Sequence, residues 1–146
     1  MNSRDKIRFF FKSPVSLKDR TKLKSFIFTL FSKEGKHLGQ LNYIFCRDKD
    51  LLKINREYLK HDFYTDILTF DLSETKRSVT GEVYISVDRV RENSRKYQTT
   101  IGQELKRVIF HGALHLCGYN DKTAKGIKEM RQMEEFYLQE YSKRST

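Results

Sequence analysis

The sequence has one proline and two cysteines among its 146 residues. A single proline argues against a hinged, multi-domain design, and this length suits one ordinary domain, which we predict over residues 1–146. Cys46 and Cys117 lie far apart and in no metal-binding or redox spacing. We therefore predict two reduced, packed thiols rather than a disulfide.

Long apolar runs are also missing from the sequence. Met1 is followed by Asn2, Ser3 and Arg4, and no apolar stretch is long enough for a signal peptide or a membrane span. We therefore expect a cytoplasmic protein that has no membrane partner, with a monomer as the default state.

The composition combines few aliphatic residues with many aromatic and basic ones. Hydrophobic residues make up 38% of the chain, below the usual share of about 45–50%, and 11 Phe and 8 Tyr compensate by burying large areas. Lys and Arg number 29 against 19 acids, a net charge of +10. Such a charge favours a polyanionic partner such as nucleic acid, while a merely solvated basic surface stays open as the alternative.

Hydrophobic periodicity predicts strands at residues 7–11, 41–46, 67–72 and 82–87. Helices are predicted after a capping box at Ser16 and Asp19, after Asp48 through Tyr58, and over residues 88–97, 101–117 and 123–141. A polar loop is predicted over residues 73–80. The predicted fold class is α/β (α+β), a single compact domain with a mixed sheet of about four strands covered by about five helices.

The clearest chemistry lies in residues 104–121, which read ELKRVIFHGALHLCGYND. His111 and His115 are four residues apart, so they share one helix face and can bind one metal at about 2.0–2.1 Å. Gly118 allows the chain to turn, and Asp121 can return as a third ligand. Three ligands leave a fourth position for water, as in catalytic zinc sites. We predict a metal site at the end of this central buried helix; two core histidines are the alternative.

The helical signature of metalloproteases has a glutamate directly after the first histidine, where it acts as the general base. Here that position is Gly112. The sequence therefore argues against a peptidase.

The segment HGALHLCGYND resembles the signature H-G-x-L-H-L-x-G-Y-D-H of the YbeY family, bacterial endoribonucleases linked to ribosomal RNA maturation. Residues 54–70, INREYLKHDFYTDILTF, are similar to its L-N-x-x-Y-R-x-x-D-x-P-T-D-V-L-S-F, and residues 81–86, GEVYIS, to its G-D-I-x-I-S strand. Met130 and Glu134 fit its C-terminal helix. The resemblance implies a zinc-dependent endoribonuclease of ribosomal RNA processing and ribosome quality control, acting on ribosomal RNA or the small ribosomal subunit without a nucleotide cofactor.

The sequence departs from the family pattern at two positions. Asp121 stands where the family usually has a third metal-binding histidine. Aspartate is a competent zinc ligand but makes the site more negative and harder, which is expected to weaken its discrimination against manganese or magnesium. Leu59 stands where the family commonly has an arginine, whose expected role is to grip a phosphate. Arg56, Lys60 and His61 are the alternative sources of positive charge, and the sequence does not choose among them.

No spacing identifies the general base. His61, Asp62 and Asp66 belong to the second matching motif and are candidates to face the site, although for Asp66 a turn or capping role at the strand start is favoured slightly over catalysis. Thr69 is predicted to be structural.

Glu104 lies on the same helical stripe as His111, and Glu134 lies on an apolar stripe of the last predicted helix. Glu104 lies about 10 Å along the helix axis from His111, too far for the same metal, and we predict a surface ion pair for it. Glu134 interrupts an apolar stripe. It is either a partly buried carboxylate that supports the site or a charge on the helix surface.

Basic residues interleaved with aromatic ones are candidates for binding single-stranded RNA. They are Arg4, Lys6, Arg8, Arg89, Arg91, Arg95 and Lys96. The leading hypothesis is metal-assisted phosphodiester hydrolysis at His111, His115 and Asp121. A non-catalytic, metal-stabilised ribosome-assembly factor and a metal hydrolase of another substrate are the alternatives.

Overall fold

The computed structural model describes residues 3–61 and 65–144. The strands are β1 (Ile7–Phe11), β2 (Leu38–Cys46), β3 (Ile67–Asp71) and β4 (Val79–Ser86). The helices are α1 (Arg20–Lys33), α2 (Asp48–Tyr58), α3 (Val87–Lys96), α4 (Ile101–Leu116) and α5 (Ala124–Lys143), with a 3-10 turn at Ser3–Lys6. The predicted α/β class, with a four-stranded mixed sheet and five helices, is confirmed over these residues.

The sheet has the strand order β1-β2-β4-β3. Strands β1, β2 and β4 are parallel, whereas β3 runs antiparallel to β4 at one edge. The main core lies on the face covered by α4, with α1, α3 and α5 around it. Helix α2 covers part of the opposite face, where Cys46, Leu51 and Leu68 form a smaller cluster.

The predicted capping box at Ser16 is wrong. Helix α1 begins at Arg20, and Asp19 takes the N-cap position in a left-handed conformation with φ 55 and no side-chain cap bond. The segment before it stays irregular because Leu17 packs into the main core while Ser16 remains exposed. Burial of a large apolar side chain thus outweighs a local cap. Strands β2 and β4 also start three residues earlier than predicted, which shortens the polar loop between β3 and β4.

Both cysteines are buried and free, as predicted. Burial raises the pKa of the Cys46 thiol and of the Cys117 thiol to about 12, which keeps both unreactive at neutral pH. Over the residues described, no helix is at once long and apolar enough to cross a bilayer.

Two glycines let α4 lie close against the sheet. A Cβ atom on Gly112 would come within 2.8 Å of Val83 Cγ1 and 3.1 Å of Ile67 Cδ1. A Cβ atom on Gly81 of β4 would come within 2.7 Å of Leu116 Cδ1. Position 112 therefore faces packed side chains, which explains why the glutamate of the protease signature has no place there.

We expect Gly112→Ala to lower the free energy of unfolding by about 1–3 kcal/mol, because the added methyl overpacks against a stiff β-branched side chain. Gly102→Ala in the same helix is the matched control, since no atom lies within 4 Å of its Cβ position. An alanine there should stabilise the helix by about 0.5–1 kcal/mol. Urea unfolding measures both variants, and equal effects at the two positions would contradict the packing argument.

Candidate metal centre and cleft

Three side chains converge at the carboxyl end of α4. His111 and His115 lie one helical turn apart, with ring centroids 4.6 Å apart and planes at 80°. Gly118 has a positive φ of 109, and the turn that it allows brings Asp121 back beneath the rings. Asp121 Oδ2 lies 3.4 Å from His111 Nε2 and 3.5 Å from His115 Nε2.

These distances suit a metal. Ligand atoms about 2.0–2.1 Å from a tetrahedral ion are about 3.3–3.4 Å from one another, close to the two distances to Asp121. The potential ligand atoms of all three residues lie within 4.8 Å of one another. Two imidazole nitrogens and one carboxylate oxygen form a donor set that Zn²⁺ accepts.

Each histidine is oriented through its other ring nitrogen. His111 Nδ1 lies 2.6 Å from Glu134 Oε2, and His115 Nδ1 lies 3.0 Å from the carbonyl oxygen of Tyr119. A carboxylate and a carbonyl only accept hydrogen bonds, so both Nδ1 atoms must donate. In the neutral rings both Nε2 lone pairs are then free, and they point toward Asp121.

Arg107 fixes the position of Glu134, the carboxylate that accepts the hydrogen bond from His111. Its guanidinium donates to both carboxylate oxygens of Glu104, at 2.9 and 2.7 Å, and to Glu134 Oε1 at 3.0 Å. Asp66 Oδ2 lies 3.6 Å from Arg107 Nη2. One cation therefore joins three acidic side chains, two of them buried, and its contact with Glu134 connects this network to His111.

The local electrostatics set the charge states of these groups. Burial alone would raise the pKa of the Glu134 carboxyl, but the hydrogen bond from His111 and the charge of Arg107 outweigh it and lower that pKa. Burial lowers the pKa of His115, and His111 lowers it further, which favours the neutral, metal-binding ring. Burial raises the pKa of Asp66 against the opposing charge of Arg107.

A second set of contacts fixes the loop that carries Asp121. Tyr119 donates its hydroxyl hydrogen bond to Glu34 Oε1 at 2.8 Å, and Tyr137 donates to the other oxygen of the same carboxylate. Burial and the bond to Glu34 raise the pKa of Tyr119 to about 12. The loop is thus attached to Glu34, the residue directly after α1, and through it to Tyr137 of α5, which holds the Tyr119 carbonyl beneath His115.

The three converging side chains form part of the wall of an open cleft of about 550 Å³. Its lining includes Asn55, Leu59, His61, Thr65, Asp66, Ile67, Leu68, Thr69, Asp71, His111, His115, Leu116, Asp121 and Lys122. The end of α2 and strand β3 thus lie around the same cleft as the end of α4. Asp121 is exposed in this cleft, so the candidate metal centre is accessible to solvent.

Comparison with known proteins identifies the family. The sequence model for Endoribonuclease YbeY matches residues 12–142. The chain belongs to the YbeY family. It is 46% identical over 132 residues to the Endoribonuclease YbeY of Cytophaga hutchinsonii, covering 89% of this chain and 92% of that protein. It is 42% identical to the protein of the same name from Christiangramia forsetii over 129 residues, 88% of this chain and 90% of that one.

A solved structure also resembles this YbeY chain. The solution structure of a Thermotoga maritima protein superposes with a TM-score of 0.63 at 30% sequence identity. The match covers 92% of this chain and 88% of that one. The YbeY architecture described above is therefore shared with an experimentally determined structure.

The cleft contains some of the residues that the sequence singled out. His61 and Asp66 both line it, whereas Asp62 lies outside the described residues. Among the cations considered in place of the family's arginine, Arg56 and Lys60 are absent from the described lining. Leu59, at the position of that arginine, is 39% exposed and lines the cleft.

Three residues at the site were not predicted to have a functional role. Lys122 lines the cleft directly after Asp121, and only its position beside a predicted ligand could have drawn attention to it. Thr69, predicted to be structural, also lines the cleft; its buried Oγ1 has no hydrogen-bond partner among the described residues. The spacing of Arg107 could have pointed to it, since it lies three residues after Glu104 and four before His111, on the same helix face.

Glu104 is not a surface residue, so that part of its prediction is wrong. Its ion pair exists, but the residue is 2% exposed because α5 packs beside α4 and its partner Arg107 bridges to that helix. Glu134 is 5% exposed and contacts His111, which decides between its two predicted roles in favour of a buried carboxylate supporting the site.

The basic residues proposed to bind RNA lie in different settings. Arg89 pairs with Asp48, and Arg91 donates to the carbonyl of Pro14 at 3.2 Å, so both have structural contacts. Arg95 and Lys96 are exposed on α3, and Arg8 is exposed on β1. The side chain of Arg4 lies outside the described part of the structure.

Proposed function

We propose that this protein is a metal-dependent endoribonuclease that hydrolyses RNA phosphodiester bonds during ribosomal RNA processing and ribosome quality control in the cytoplasm. The observation that carries the proposal is the meeting of two oriented imidazoles and one carboxylate in an open cleft. Membership in a family whose relatives are named Endoribonuclease YbeY supplies the substrate class.

The proposed cofactor is one Zn²⁺ per chain, held by His111, His115 and Asp121. When bound, the ion would supply the Lewis acidity that activates water and polarises a phosphoryl oxygen. The two imidazoles are held in the correct tautomer by Glu134 and by the Tyr119 carbonyl. Because Asp121 is a hard oxygen ligand, we expect Mn²⁺ to support activity better here than in a three-histidine site.

The residues around the ligands suggest how RNA is positioned. Lys122 provides positive charge beside a phosphate in the cleft, in place of the missing arginine at Leu59, and His61 offers a ring nitrogen for a hydrogen bond. Thr69 offers a buried hydroxyl with no other hydrogen-bond partner among described residues. Asp66 and His61 are the candidates for moving a proton, since both line the cleft with an ionisable group.

The alternatives make different predictions. A ribosome-assembly factor would use the metal to hold the end of α4 to the following loop and would cleave nothing. A metal hydrolase of another substrate stays open, but the packed environment of Gly112 leaves no place for the general base of the protease signature.

Metal removal tests the proposal. The purified protein is analysed for metal by mass spectrometry, stripped with a chelator, and then given Zn²⁺, Mn²⁺ or Mg²⁺ before incubation with a ribosomal RNA fragment. We expect a single zinc per chain, loss of cleavage on stripping and recovery with Zn²⁺. Unchanged cleavage by the metal-free protein, or failure to take up any of the three ions, would refute the proposal.

A further inference from the structure

The positive charge of the chain is concentrated at its amino-terminal quarter. Residues 1–36 contain ten Lys and Arg against three acids, a net charge of +7 out of +10 for the whole chain. The structure folds most of this segment into strand β1 and helix α1, beside the open edge of the sheet.

Three cations of this segment lie over aromatic rings of the same segment, and we call these three pairs the basic ladder. The Arg20 guanidinium lies 4.4 Å from the centroid of the Phe11 ring. The Lys24 ammonium lies 5.5 Å from the Phe9 ring, and the Lys6 ammonium lies 5.5 Å from the Phe28 ring. All three distances are within the range of a cation–π interaction.

The first two contacts follow from the spacing of residues along the two backbones. Positions 20, 24 and 28 of α1 are four residues apart, about 6 Å along the helix. Positions 11 and 9 of β1 are two residues apart, about 6.6 Å along the strand. The helix stripe and the strand run in opposite directions, so Arg20 meets Phe11 and Lys24 meets Phe9. The third contact takes its cation, Lys6, from the 3-10 turn before β1. The ladder therefore brings three cations together along α1 and the start of β1.

The ladder cations are not neutralised by the protein itself. Within the described chain, none of Lys6, Arg20 and Lys24 has a carboxylate within ion-pair distance. Lys6 does donate one hydrogen bond, to the Leu38 carbonyl at 3.1 Å, and Arg20 donates to that of Leu17 at 3.2 Å. Held on rings rather than paired with acids, the three cations keep their charge available to an anionic partner.

We propose that the basic ladder binds the phosphate backbone of single-stranded RNA, as a surface separate from the metal cleft. None of its six side chains lines that cleft. The inference deepens the proposed function, on which the choice of RNA rests. RNA is favoured over an acidic protein segment because the proposed function supplies RNA as the substrate, and because polynucleotide phosphates attract clustered Lys and Arg side chains.

The test compares two variants that lose the same charge. The ladder variant carries Lys6→Gln, Arg20→Gln and Lys24→Gln; the control carries Lys76→Gln, Lys128→Gln and Arg131→Gln, three exposed cations elsewhere. Binding of a fluorescent, unstructured RNA is followed by anisotropy at several salt concentrations, with a chelator present so that no cleavage occurs. Each phosphate contact contributes about 0.7 to the slope of log affinity against log salt for a single strand.

We expect the magnitude of that slope to be smaller by about 2 in the ladder variant than in the wild type. In the control variant it should fall much less. Lys6→Arg with Lys24→Arg should bind as wild type does, and thermal unfolding confirms that each variant is folded. Equal slopes in ladder and control variants would overturn the proposal. If the ladder variant still binds RNA but no longer binds a poly-glutamate peptide, the ladder would instead be assigned to an acidic protein partner. Because the assay excludes cleavage, its result is independent of whether the metal centre is a nuclease.

Discussion

Replacing Arg107 by leucine is expected to lower the free energy of unfolding by about 3–5 kcal/mol. The change removes the cation shared by Glu104 and Glu134, which are 2% and 5% exposed. Glu104 would then be buried without the donor that now satisfies it, and Glu134 would keep only its hydrogen bond from His111. Removing one partner of a buried ion pair costs far more than the pair itself contributes, because the remaining charge stays desolvated.

The pH dependence identifies the cause of this loss. In the wild type the lowered pKa of Glu134 gives stability above the carboxyl's unfolded pKa of about 4.3, and this is lost as the pH falls through its folded value. Without Arg107, burial acts with less opposition and shifts that pKa upward. The stability of the variant should therefore lie closer to that of the wild type at pH 5 than at pH 7.5.

Urea unfolding at both pH values, with a chelator present to exclude metal binding, measures the effect. Arg107→Lys is the control: it keeps the charge but not the fork that reaches two carboxylates, so an intermediate loss is expected. Adding Glu104→Gln and Glu134→Gln to Arg107→Leu should recover much of the stability. A loss that is the same at both pH values would show that Arg107 acts through packing alone.

The fold was predictable because its signals are local. Helix α4 was predicted to within one residue, since its buried face is continuous and Thr100 caps its start. Helix α1 was placed less well, because the burial of Leu17 is a tertiary effect that no short motif records. Neither the strand order nor the antiparallel β3 could be obtained from periodicity, since both depend on which strands pair.

The candidate site was predictable where its residues are close in sequence. The spacing of His111 and His115 and the turn at Gly118 lie within one segment, and the structure brings Asp121 to them. The roles of Glu34 and Glu134 were harder to predict. Glu34 contacts Tyr119 across 85 residues of sequence, and Glu134 contacts His111 across 23. Such supporting contacts depend on helix packing, so sequence alone could only raise a role for Glu134 and gave none for Glu34.

His115→Ala is expected to abolish metal binding and RNA cleavage while leaving RNA binding largely intact. Two remaining ligands hold a divalent ion much more weakly than three, so cleavage should fall to the level of the metal-free protein. The fold should survive, because the His115 side chain is 26% exposed and its one hydrogen bond to the Tyr119 carbonyl is worth about 1 kcal/mol. RNA should still bind through basic residues that the change does not touch.

Three measurements on this variant separate the two leading functions. Metal content, cleavage of a ribosomal RNA fragment and RNA affinity are compared with those of His37→Ala, an exposed histidine that serves as the matched control. Loss of metal and cleavage with retained affinity supports a nuclease. Loss of folding and RNA binding together with the metal would make the metal structural and favour the assembly factor. If His115→Ala cleaves as fast as His37→Ala, the three-ligand centre takes no part in the reaction.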